Sequence, residues 1–168
     1  LLALAREEGL RAADVEAVTV GLHRNGITLV GAPIEAKRRA RSVVEGQFSM
    51  PFAGAVALLR GGFGWDDYDL LGRAEADALA DRVEVVRDES LEGLRHPFGA
   101  TLAVRARGTL HERRIADPSG EPETFPSAQA SARKFRALAG PVLNAGADAL
   151  LARLRDLPRT PDIRGWLS

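Results

Sequence analysis

Histidine is the side chain best suited to proton transfer near neutral pH, and this sequence has three, at His23, His96 and His111. No two of them have the i, i+4 spacing that places a pair of imidazoles on one face of a helix. His23 follows the end of a predicted strand, and His111 alternates with polar residues along another. We therefore expect the three histidines to lie at the surface rather than in a catalytic site.

Motifs for a metal centre or an activated nucleophile are absent from the sequence. It contains neither the His-Glu-x-x-His motif of zinc enzymes nor the Gly-x-Ser-x-Gly turn of serine hydrolases. Acidic pairs such as Glu7-Glu8 and Asp66-Asp67 are adjacent, so a helix would not place both carboxylates on one face. Without cysteine, disulfides and thiolate metal sites are excluded as well. The sequence predicts no metal site and assigns no catalytic residue.

The strongest local concentration of charge is a basic cluster made of Lys37, Arg38, Arg39 and Arg41. One interpretation is a solvated face of a helix. The other is a rim that binds carboxylates, because the guanidinium fork of arginine matches the geometry of a carboxylate. Both interpretations remain open at this point.

The whole chain carries no excess charge, since 23 basic residues balance 23 acidic ones. A nucleic-acid-binding protein needs a basic excess to neutralise phosphates, so the composition argues against that class. No apolar run approaches the roughly 18 residues of a membrane-spanning helix, and no targeting signal is present. Nearly all of the basic residues are arginine, which is typical of a GC-rich bacterial genome. We expect a cytoplasmic bacterial protein.

The element expected to organise the candidate residues is a buried helix within residues 47–61. Its apolar positions recur at helical spacing, at Phe48, Phe52, Ala55 and Leu59. Ser49 can accept a backbone N–H at the start, Pro51 lies in the first turn, and Gly61 ends the helix. The residue pattern alone indicates a core helix, and Gly54 allows another element to approach its backbone closely.

Strands and short helices are predicted on either side of this helix. Alternating apolar residues predict a strand at Val18, Val20 and Leu22, followed by a turn at Asn25-Gly26. Two short helices are expected within residues 66–81, the first capped by Asp66. Further strands are predicted from Val83, over residues 100–106 with Leu102, Val104 and Ala106 inward, and over residues 109–115 after a hairpin at Arg107-Gly108.

The last part of the chain is predicted to be helical. Residues 117–126 are rich in proline and predict a linker. Ser127 and Asn144 are placed to cap two helices, the first of which would end at Gly140-Pro141. A last short helix is expected from Thr160 to Trp166. The apolar stripe of the second capped helix consists of Ala147, Leu150, Leu154 and Leu157. These elements predict an α+β fold, with a small, mainly antiparallel sheet and helices followed by C-terminal helices.

The stretch from Gln47 to Gly61 also resembles a family signature. The order Phe-Ser-Met-Pro-Phe-x-x-Ala-x-x-Leu-x-x-Gly from Phe48 onward is similar to a pattern in the C-terminal part of the MmgE/PrpD family. That family includes 2-methylcitrate dehydratases, cis-aconitate decarboxylases and iminodisuccinate epimerases. Similar features occur in the family's order over nearly the whole chain, at Lys37, residues 83–86, Arg107-Gly108, residues 117–123 and residues 134–139.

The resemblance implies two domains. Residues 1–121 would form a small α+β domain, and residues 122–168 would supply a linker and helices that belong to a large helical domain. Because the only methionine is Met50 and the first residues already have helical spacing, we expect the C-terminal part of a longer protein. Leu1, Leu2 and Leu4, together with the stripe of the second C-terminal helix, are expected to pack on the missing all-helical domain.

The resemblance also implies a function. Family members remove a proton next to a carboxylate of a small di- or tricarboxylate, and then lose water, lose CO2 or take a proton back, without a cofactor. We expect the C-terminal portion of such a lyase or isomerase, with most catalytic residues in the N-terminal part. The expected partners are the polycarboxylate substrate, the N-terminal helical domain and a second copy in a homodimer. The alternative is a structural or interaction module without activity of its own.

Five residues near the signature are candidates for the substrate pocket, namely Phe52, Gln47, Ser49, Lys37 and Arg41. Phe52 stands where several family members have tyrosine. Phenylalanine has no hydroxyl with which to donate a proton, so we expect Phe52 to form a wall of the pocket. Ser49 has the competing role of capping the helix, and both roles stay open.

Overall fold

The computed structural model describes residues 1–93, 99–160, 162 and 164. The chain forms two compact units, Leu1–Pro118 and Ser119–Ser168. The first unit contains a sheet with helices and the second unit contains helices, so the predicted α+β class is confirmed. The division between the units falls within the stretch predicted to be a linker.

The sheet of the first unit has four strands in the order β2-β1-β3-β4. The strands are β1 (Val15–Leu22), β2 (Val83–Arg87), β3 (Ala100–Ala106) and β4 (Thr109–Ile115). β3 pairs antiparallel with β1 and with β4, whereas β2 pairs parallel with β1, so the sheet is mixed. The last two strands are joined by the predicted hairpin, in which Arg107 and Gly108 both have positive φ, as in a type I′ turn.

One face of this sheet is buried in the main core of the first unit. The buried residues of this core are Leu4, Val15, Val18, Val20, Leu22, Val83, Val104 and Ala106. The strand residues predicted to point inward are among them, with Leu102 partly buried against the same cluster. The expectation that Leu4 packs on another domain is wrong, because α1 (Leu2–Glu7) buries Leu4 against this face of the sheet.

The chain between β1 and β2 is a long helical crossover. Its elements are α2 (Arg24–Gly26), a π-helical turn (Ile27–Gly31), α3 (Ile34–Arg38), α4 (Val43–Gln47), α5 (Met50–Arg60), a 3-10 turn (Asp66–Leu70) and α6 (Ala74–Ala80). The predicted turn at Asn25-Gly26 is wrong, because the His23 imidazole accepts the N–H of Asn25 and starts α2 there. Trp65 rather than Asp66 precedes the 3-10 turn.

Helix α5 begins and ends as the sequence predicts. The hydroxyl of Ser49 accepts the N–H of Phe52, Pro51 lies in the first turn, and Gly61 ends the helix with a φ of 67°. The prediction that Phe48 shares the buried stripe is wrong, since this residue ends α4 and is 42% exposed. It precedes the Ser49 cap, so it does not lie on the helical face that carries Phe52.

Helix α5 packs closely on the sheet, as Gly54 predicts. A Cβ added at Gly54 would lie 3.3 Å from a methyl group of Val83, so a larger residue would push the helix away from β2. On another side of the helix, Phe52 and Val56 form a second core cluster with Ala40, Leu70 and Ala76. The helix is therefore covered by the sheet and by the remainder of the crossover, which agrees with its apolar composition.

The second unit contains α7 (Ala128–Leu143) and α8 (Gly146–Asp156), with 3-10 turns at Pro122–Thr124 and Leu157–Arg159. Ser127 caps α7 as predicted, but the helix continues through Gly140 and Pro141. Proline near the last turn removes only one backbone hydrogen bond, so the helix tolerates it there. Asn144 ends α7 with a φ of 47° and does not cap α8, so that prediction is wrong.

The buried side of α8 also differs from the predicted stripe. Ala147 and Leu151 are buried, whereas Leu154 and Leu157 are 38% and 37% exposed. The predicted stripe is therefore right at Ala147 and wrong at its C-terminal end, where Leu151 is buried instead. Most of the predicted helix from Thr160 to Trp166 lies outside the described residues. Within the described part of the chain, no helix has the length and apolarity needed to cross a bilayer.

Candidate functional site

The parallel pairing of β1 and β2 brings the carboxyl ends of both strands to one edge of the sheet. β3 runs the other way and begins at the same edge. Ligands of α/β proteins commonly bind where parallel strands end, because the loops there leave a crevice. The polar side chains gathered at this edge are called the carboxyl-edge cluster, and they are His23, Arg24, Arg87, Asp88, Ser90, Glu92, Thr101 and Arg114.

His23 is the buried centre of this cluster, with only 7% of the residue exposed. Its Nε2 lies 2.7 Å from a carboxylate oxygen of Glu92, and its Nδ1 accepts the N–H of Asn25 at 3.1 Å. Because Nδ1 is an acceptor, the proton of the neutral ring sits on Nε2 and is donated to Glu92. The expectation of a surface position is therefore wrong for His23. The ring also caps α2 at the end of β1.

Glu92 receives three further contacts around the His23 ring. The Nε of Arg87 donates to it at 2.9 Å, the backbone N–H of Arg24 at 3.3 Å, and the Nε of Arg24 lies 3.8 Å away. Burial alone would raise the pKa of Glu92, but the hydrogen bonds from Arg87 and Arg24 and the nearby positive charge outweigh it and lower that pKa. The carboxylate is therefore ionised at neutral pH.

Asp88 organises the other half of the cluster. One carboxylate oxygen accepts the hydroxyl and the N–H of Ser90 at 2.6 and 2.9 Å, and the other accepts the hydroxyl of Thr101 at 2.6 Å. These hydrogen bonds, led by that of Ser90, lower the pKa of Asp88. Arg114 donates to the hydroxyl and the carbonyl of Ser90 at 2.7 and 3.0 Å. The loop after β2 is thus fixed to β3 and β4.

An open cleft of about 340 Å³ adjoins this half of the cluster on the sheet face opposite the core. Its lining includes Thr19, Gly21, Val86, Thr101 and Arg114. Its volume lies at the lower end of the range typical of small-molecule sites. Thr101 and Arg114 therefore belong both to the cluster and to the lining of this cleft.

The arginines of the cluster are exposed to solvent, whereas the imidazole of His23 and the carboxylate of Glu92 are more buried. The side chains of Arg24 and Arg87 are 70% and 54% exposed, against 8% for His23 and 23% for Glu92. Both ring nitrogens of His23 are engaged, Nε2 with Glu92 and Nδ1 with the N–H of Asn25, so neither is free to contact a substrate. In this arrangement the cluster is suited to binding an anion rather than to removing a proton from carbon.

Of the other two histidines, His111 and His96, the structure describes only the first. His111 lies opposite Val104 on β4, and its Nδ1 is 3.5 Å from a carboxylate oxygen of Glu8, with 16% of its side chain exposed. The sequence predicts a surface position for His111, and the structure shows it only partly exposed. His96 lies outside the described residues. Among those residues, no group of three side chains has the arrangement needed to hold a metal ion.

Three of the five residues predicted for the pocket meet at the start of α5. The Ser49 hydroxyl donates to the carbonyl of Lys37 at 2.5 Å and accepts the N–H of Phe52 at 3.0 Å. The ammonium group of Lys37 donates to the carbonyl of Leu29 at 2.9 Å. Ser49 is 2% exposed, and its hydroxyl both donates and accepts a hydrogen bond within the chain. The structure therefore shows it in its capping role. The contribution of these residues to a substrate pocket stays a prediction.

Phe52 packs among other aromatic rings. It is 4% exposed, and its ring centroid lies 5.9 Å from that of Phe63 and 6.1 Å from that of Tyr68. Trp65 extends the group at 5.8 Å from Tyr68 and is 62% exposed. The Phe52 ring is thus part of a core that reaches the surface through its neighbours.

The other two predicted pocket residues lie apart from these contacts. Gln47 is exposed at the end of α4. Arg41 forms a bidentate pair with Asp77 at 2.7 and 3.1 Å. Within the basic cluster, Arg39 pairs with Asp81 and Arg38 with Glu35. The side chains of Arg39 and Arg41 are about half exposed and paired with carboxylates of the chain itself, which agrees with the interpretation of a solvated face. The side chain of Arg38 is only 17% exposed and also donates to the carbonyl of Val83 at 3.0 Å, so this residue departs from that interpretation.

Sequence reasoning missed Glu92 and the role of His23. The signal was present, because His23 and Asp88 directly follow two predicted strands that are separated by a long crossover. A connection of that length permits parallel pairing, which puts both strand ends at one edge. Because the sequence predicts mainly antiparallel pairing, it does not indicate that the ends of these two strands meet.

Fold and site together define an α+β protein with a mixed four-stranded sheet, a polar cluster at its carboxyl edge and a second, helical unit. The family model of the MmgE/PrpD C-terminal domain matches residues 1–156, a range that includes residues of both units. The chain belongs to the MmgE/PrpD family, as its signature at α5 predicts. No curated protein matches the chain.

Proposed function

We propose that this chain is the C-terminal portion of a cofactor-independent lyase or isomerase that acts on a small di- or tricarboxylate. The observation that carries the proposal is the match of the MmgE/PrpD C-terminal domain to residues 1–156. Membership of this family supports a protein of the dehydratase or lyase type. The substrate class and the absence of a cofactor are part of the proposal.

The proposed reaction begins with removal of a proton next to a carboxylate and ends with loss of water, loss of CO2 or reprotonation. It therefore needs a base with a free acceptor. His23 has both nitrogens engaged and so does not offer one. We propose that this chain contributes substrate binding and that the N-terminal part of the enzyme contributes proton transfer.

The test uses the protein encoded by the complete reading frame that contains this chain, with the 168-residue chain assayed in parallel. The substrates are 2-methylcitrate, cis-aconitate and iminodisuccinate. We expect the complete protein to convert one of them and the chain alone to show no turnover above a heat-denatured sample. One missing general acid–base group typically lowers a rate by about 10²–10⁴-fold, so the difference is measurable.

Two results would contradict the proposal. Turnover by the chain alone would show that it carries its own proton-transfer groups. Absence of turnover by the complete protein on every small polycarboxylate would favour the alternative, a structural or interaction module. Light scattering on the complete protein tests the expected homodimer in the same samples.

A further inference from the structure

Two guanidinium groups share a single carboxylate at the carboxyl edge of the sheet. The Nε of Arg87 is 2.9 Å from Glu92, and the Nε of Arg24 is 3.8 Å from it. The His23 ring contacts the same carboxylate through Nε2 and accepts the N–H of Asn25 with Nδ1. Two positive charges thus face one negative charge, and one positive charge is left over.

The terminal nitrogens of both guanidinium groups are unused within the described chain. Arg87 donates to Glu92 through Nε, which leaves the two terminal amino groups of its fork. The Nε of Arg24 is beyond hydrogen-bond distance from Glu92. Neither side chain donates from a terminal nitrogen to another described residue, and both are more than half exposed. The terminal N–H groups of both guanidinium groups are therefore open to a ligand.

Glu92 is held firmly enough to position these arginines. Its carboxylate accepts the Nε2–H of the buried His23 ring, and that ring is fixed in turn by the N–H of Asn25. A carboxylate held in this way cannot follow the arginines into solvent, so it restricts where their guanidinium groups lie. Restricting a side chain before binding reduces the entropy lost when a ligand arrives.

We propose that Arg24 and Arg87 together form a binding site for a small di- or tricarboxylate, with one carboxylate group of the ligand on each guanidinium and with Glu92 as the residue that positions both. Arginine matches a carboxylate with two parallel N–H···O bonds, and two forks at one edge favour a ligand with two carboxylates over one with a single carboxylate. This inference rests on the proposed function for the class of the ligand.

The test is an NMR titration of the chain, in which the Nε–H signals of its arginines are followed. The ligands are tricarballylate and, at the same carboxylate concentration and ionic strength, acetate. We expect tricarballylate to shift the signals of Arg24 and Arg87 in a saturable way and acetate to bind more weakly. Arg24→Gln and Arg87→Gln should each weaken the binding of tricarballylate about tenfold, as expected when a charge-assisted hydrogen bond is lost.

Arg105→Gln is the matched control, because Arg105 is an exposed arginine of β3 outside the carboxyl-edge cluster. This variant should bind tricarballylate like the parent chain. Urea unfolding of each variant checks that the fold is retained. Equal binding of acetate and tricarballylate would overturn the two-point recognition, and unchanged binding by Arg24→Gln and Arg87→Gln would overturn the site itself.

The same variants in the complete protein separate this inference from the proposed function. Saturable tricarballylate binding without turnover of any polycarboxylate would retain the site and refute the lyase or isomerase. Turnover with an unchanged KM in Arg24→Gln and Arg87→Gln would retain the enzyme and refute the site. A raised KM with little change in kcat is the expected result, since these arginines bind substrate without taking part in proton transfer.

Discussion

The imidazole of His23 and the carboxylate of Glu92 are joined by a contact of 2.7 Å that connects the end of β1 to the loop after β2. The two strands are parallel neighbours, and the backbone N–H of Asp88 continues their ladder by donating to the carbonyl of Leu22 at 2.9 Å. The side-chain contact and the backbone contact therefore close the same edge of the sheet. Loss of either partner should loosen the loop that carries the candidate site.

His23 makes two separable hydrogen bonds, and two substitutions test them. His23→Asn retains a short acceptor for the N–H of Asn25 but loses the donor to Glu92, whereas His23→Gln does the reverse. We expect each to lower the free energy of unfolding by about 1–3 kcal/mol, the usual cost of leaving a buried partner unsatisfied. Urea unfolding measures the loss.

His111→Asn is the control for these variants, because His111 makes only a loose contact of 3.5 Å with Glu8. An exposed or partly exposed ion pair of this kind contributes about 0–1 kcal/mol. If the two His23 variants cost no more than this control, the hydrogen bonds of His23 do not stabilise the edge.

The hydrogen bonds of Asp14 predict how the free energy of unfolding depends on pH. Arg107 donates to its carboxylate at 2.9 Å, and the backbone N–H and the side chain of Arg11 add two more contacts, so the pKa of Asp14 is held well below its usual range. A carboxyl group with a lowered folded pKa stabilises the fold above its unfolded pKa of about 3.9, and this contribution is lost as the pH falls towards the folded value. The free energy of unfolding should therefore decline as the pH is lowered below about 5.

Arg107→Gln tests this assignment, because it removes the first of the causes that lower the pKa of Asp14. The decline of stability between about pH 5 and pH 2 should be shallower in this variant, and Asp14→Asn should flatten it similarly. The double variant should be no flatter than Asp14→Asn. An unchanged acid slope in both single variants would show that other carboxylates determine it.

Helix α5 shows what the sequence could predict. Its Ser49 cap, its Pro51 in the first turn and its Gly61 end are all local signals, and each acts within about one turn of the residue that carries it. The strands with alternating apolar residues were predictable for the same reason. Part of the family signature lies in this helix too, and the other features that carry the resemblance occur over nearly the whole chain.

The carboxyl edge shows why the remainder could not be predicted. Glu92 and His23 meet only because β2 crosses over to lie parallel beside β1, which is a choice of topology that no local pattern determines. Burial of His23 follows from that pairing. The end of α7 was missed for a different reason: Pro141 is a strong helix breaker by local rules, but a loss of one hydrogen bond near the last turn is small.

A side chain at Gly21 is predicted to destabilise the fold for steric reasons. A Cβ added there would overlap the hydroxyl oxygen of Thr101 and lie 3.0 Å from the Cβ of Asp88. Gly21→Ala should therefore lower the free energy of unfolding by about 1–3 kcal/mol, as overpacking usually does. Thermal or urea unfolding measures it, and Gly62→Ala serves as control because a Cβ at Gly62 meets no atom within 4 Å.

The double variant Gly21→Ala/Thr101→Ala tests the cause of that loss. Removing the Thr101 hydroxyl relieves the overlap, so the double variant should be more stable than the sum of the two single changes predicts. Additive losses would mean that the strand, rather than this side-chain contact, resists the substitution.

Phe52 can be tested as a core residue and as a wall of the substrate pocket that the sequence predicts at the start of α5. It is 4% exposed among Ala40, Val56, Leu70 and Ala76, so Phe52→Ala should lower the free energy of unfolding by about 3–5 kcal/mol. Phe52→Tyr adds one hydroxyl and little volume, and it restores the residue found in several members of the family. In an enclosed position the unpaired hydroxyl would cost about 1–3 kcal/mol, whereas at an open cleft it would be hydrated at little cost.

The measurement for Phe52→Tyr is denaturant unfolding together with the kinetics of the complete protein. Near-parental stability with altered kcat or KM is the result expected of a pocket wall. Marked destabilisation with unchanged kinetics in the folded fraction would instead assign Phe52 to the core alone. Leu70→Ala is the matched control, since Leu70 lies in the same cluster and is 3% exposed. It should lower stability by about 2–5 kcal/mol and leave the kinetics of the folded fraction unchanged.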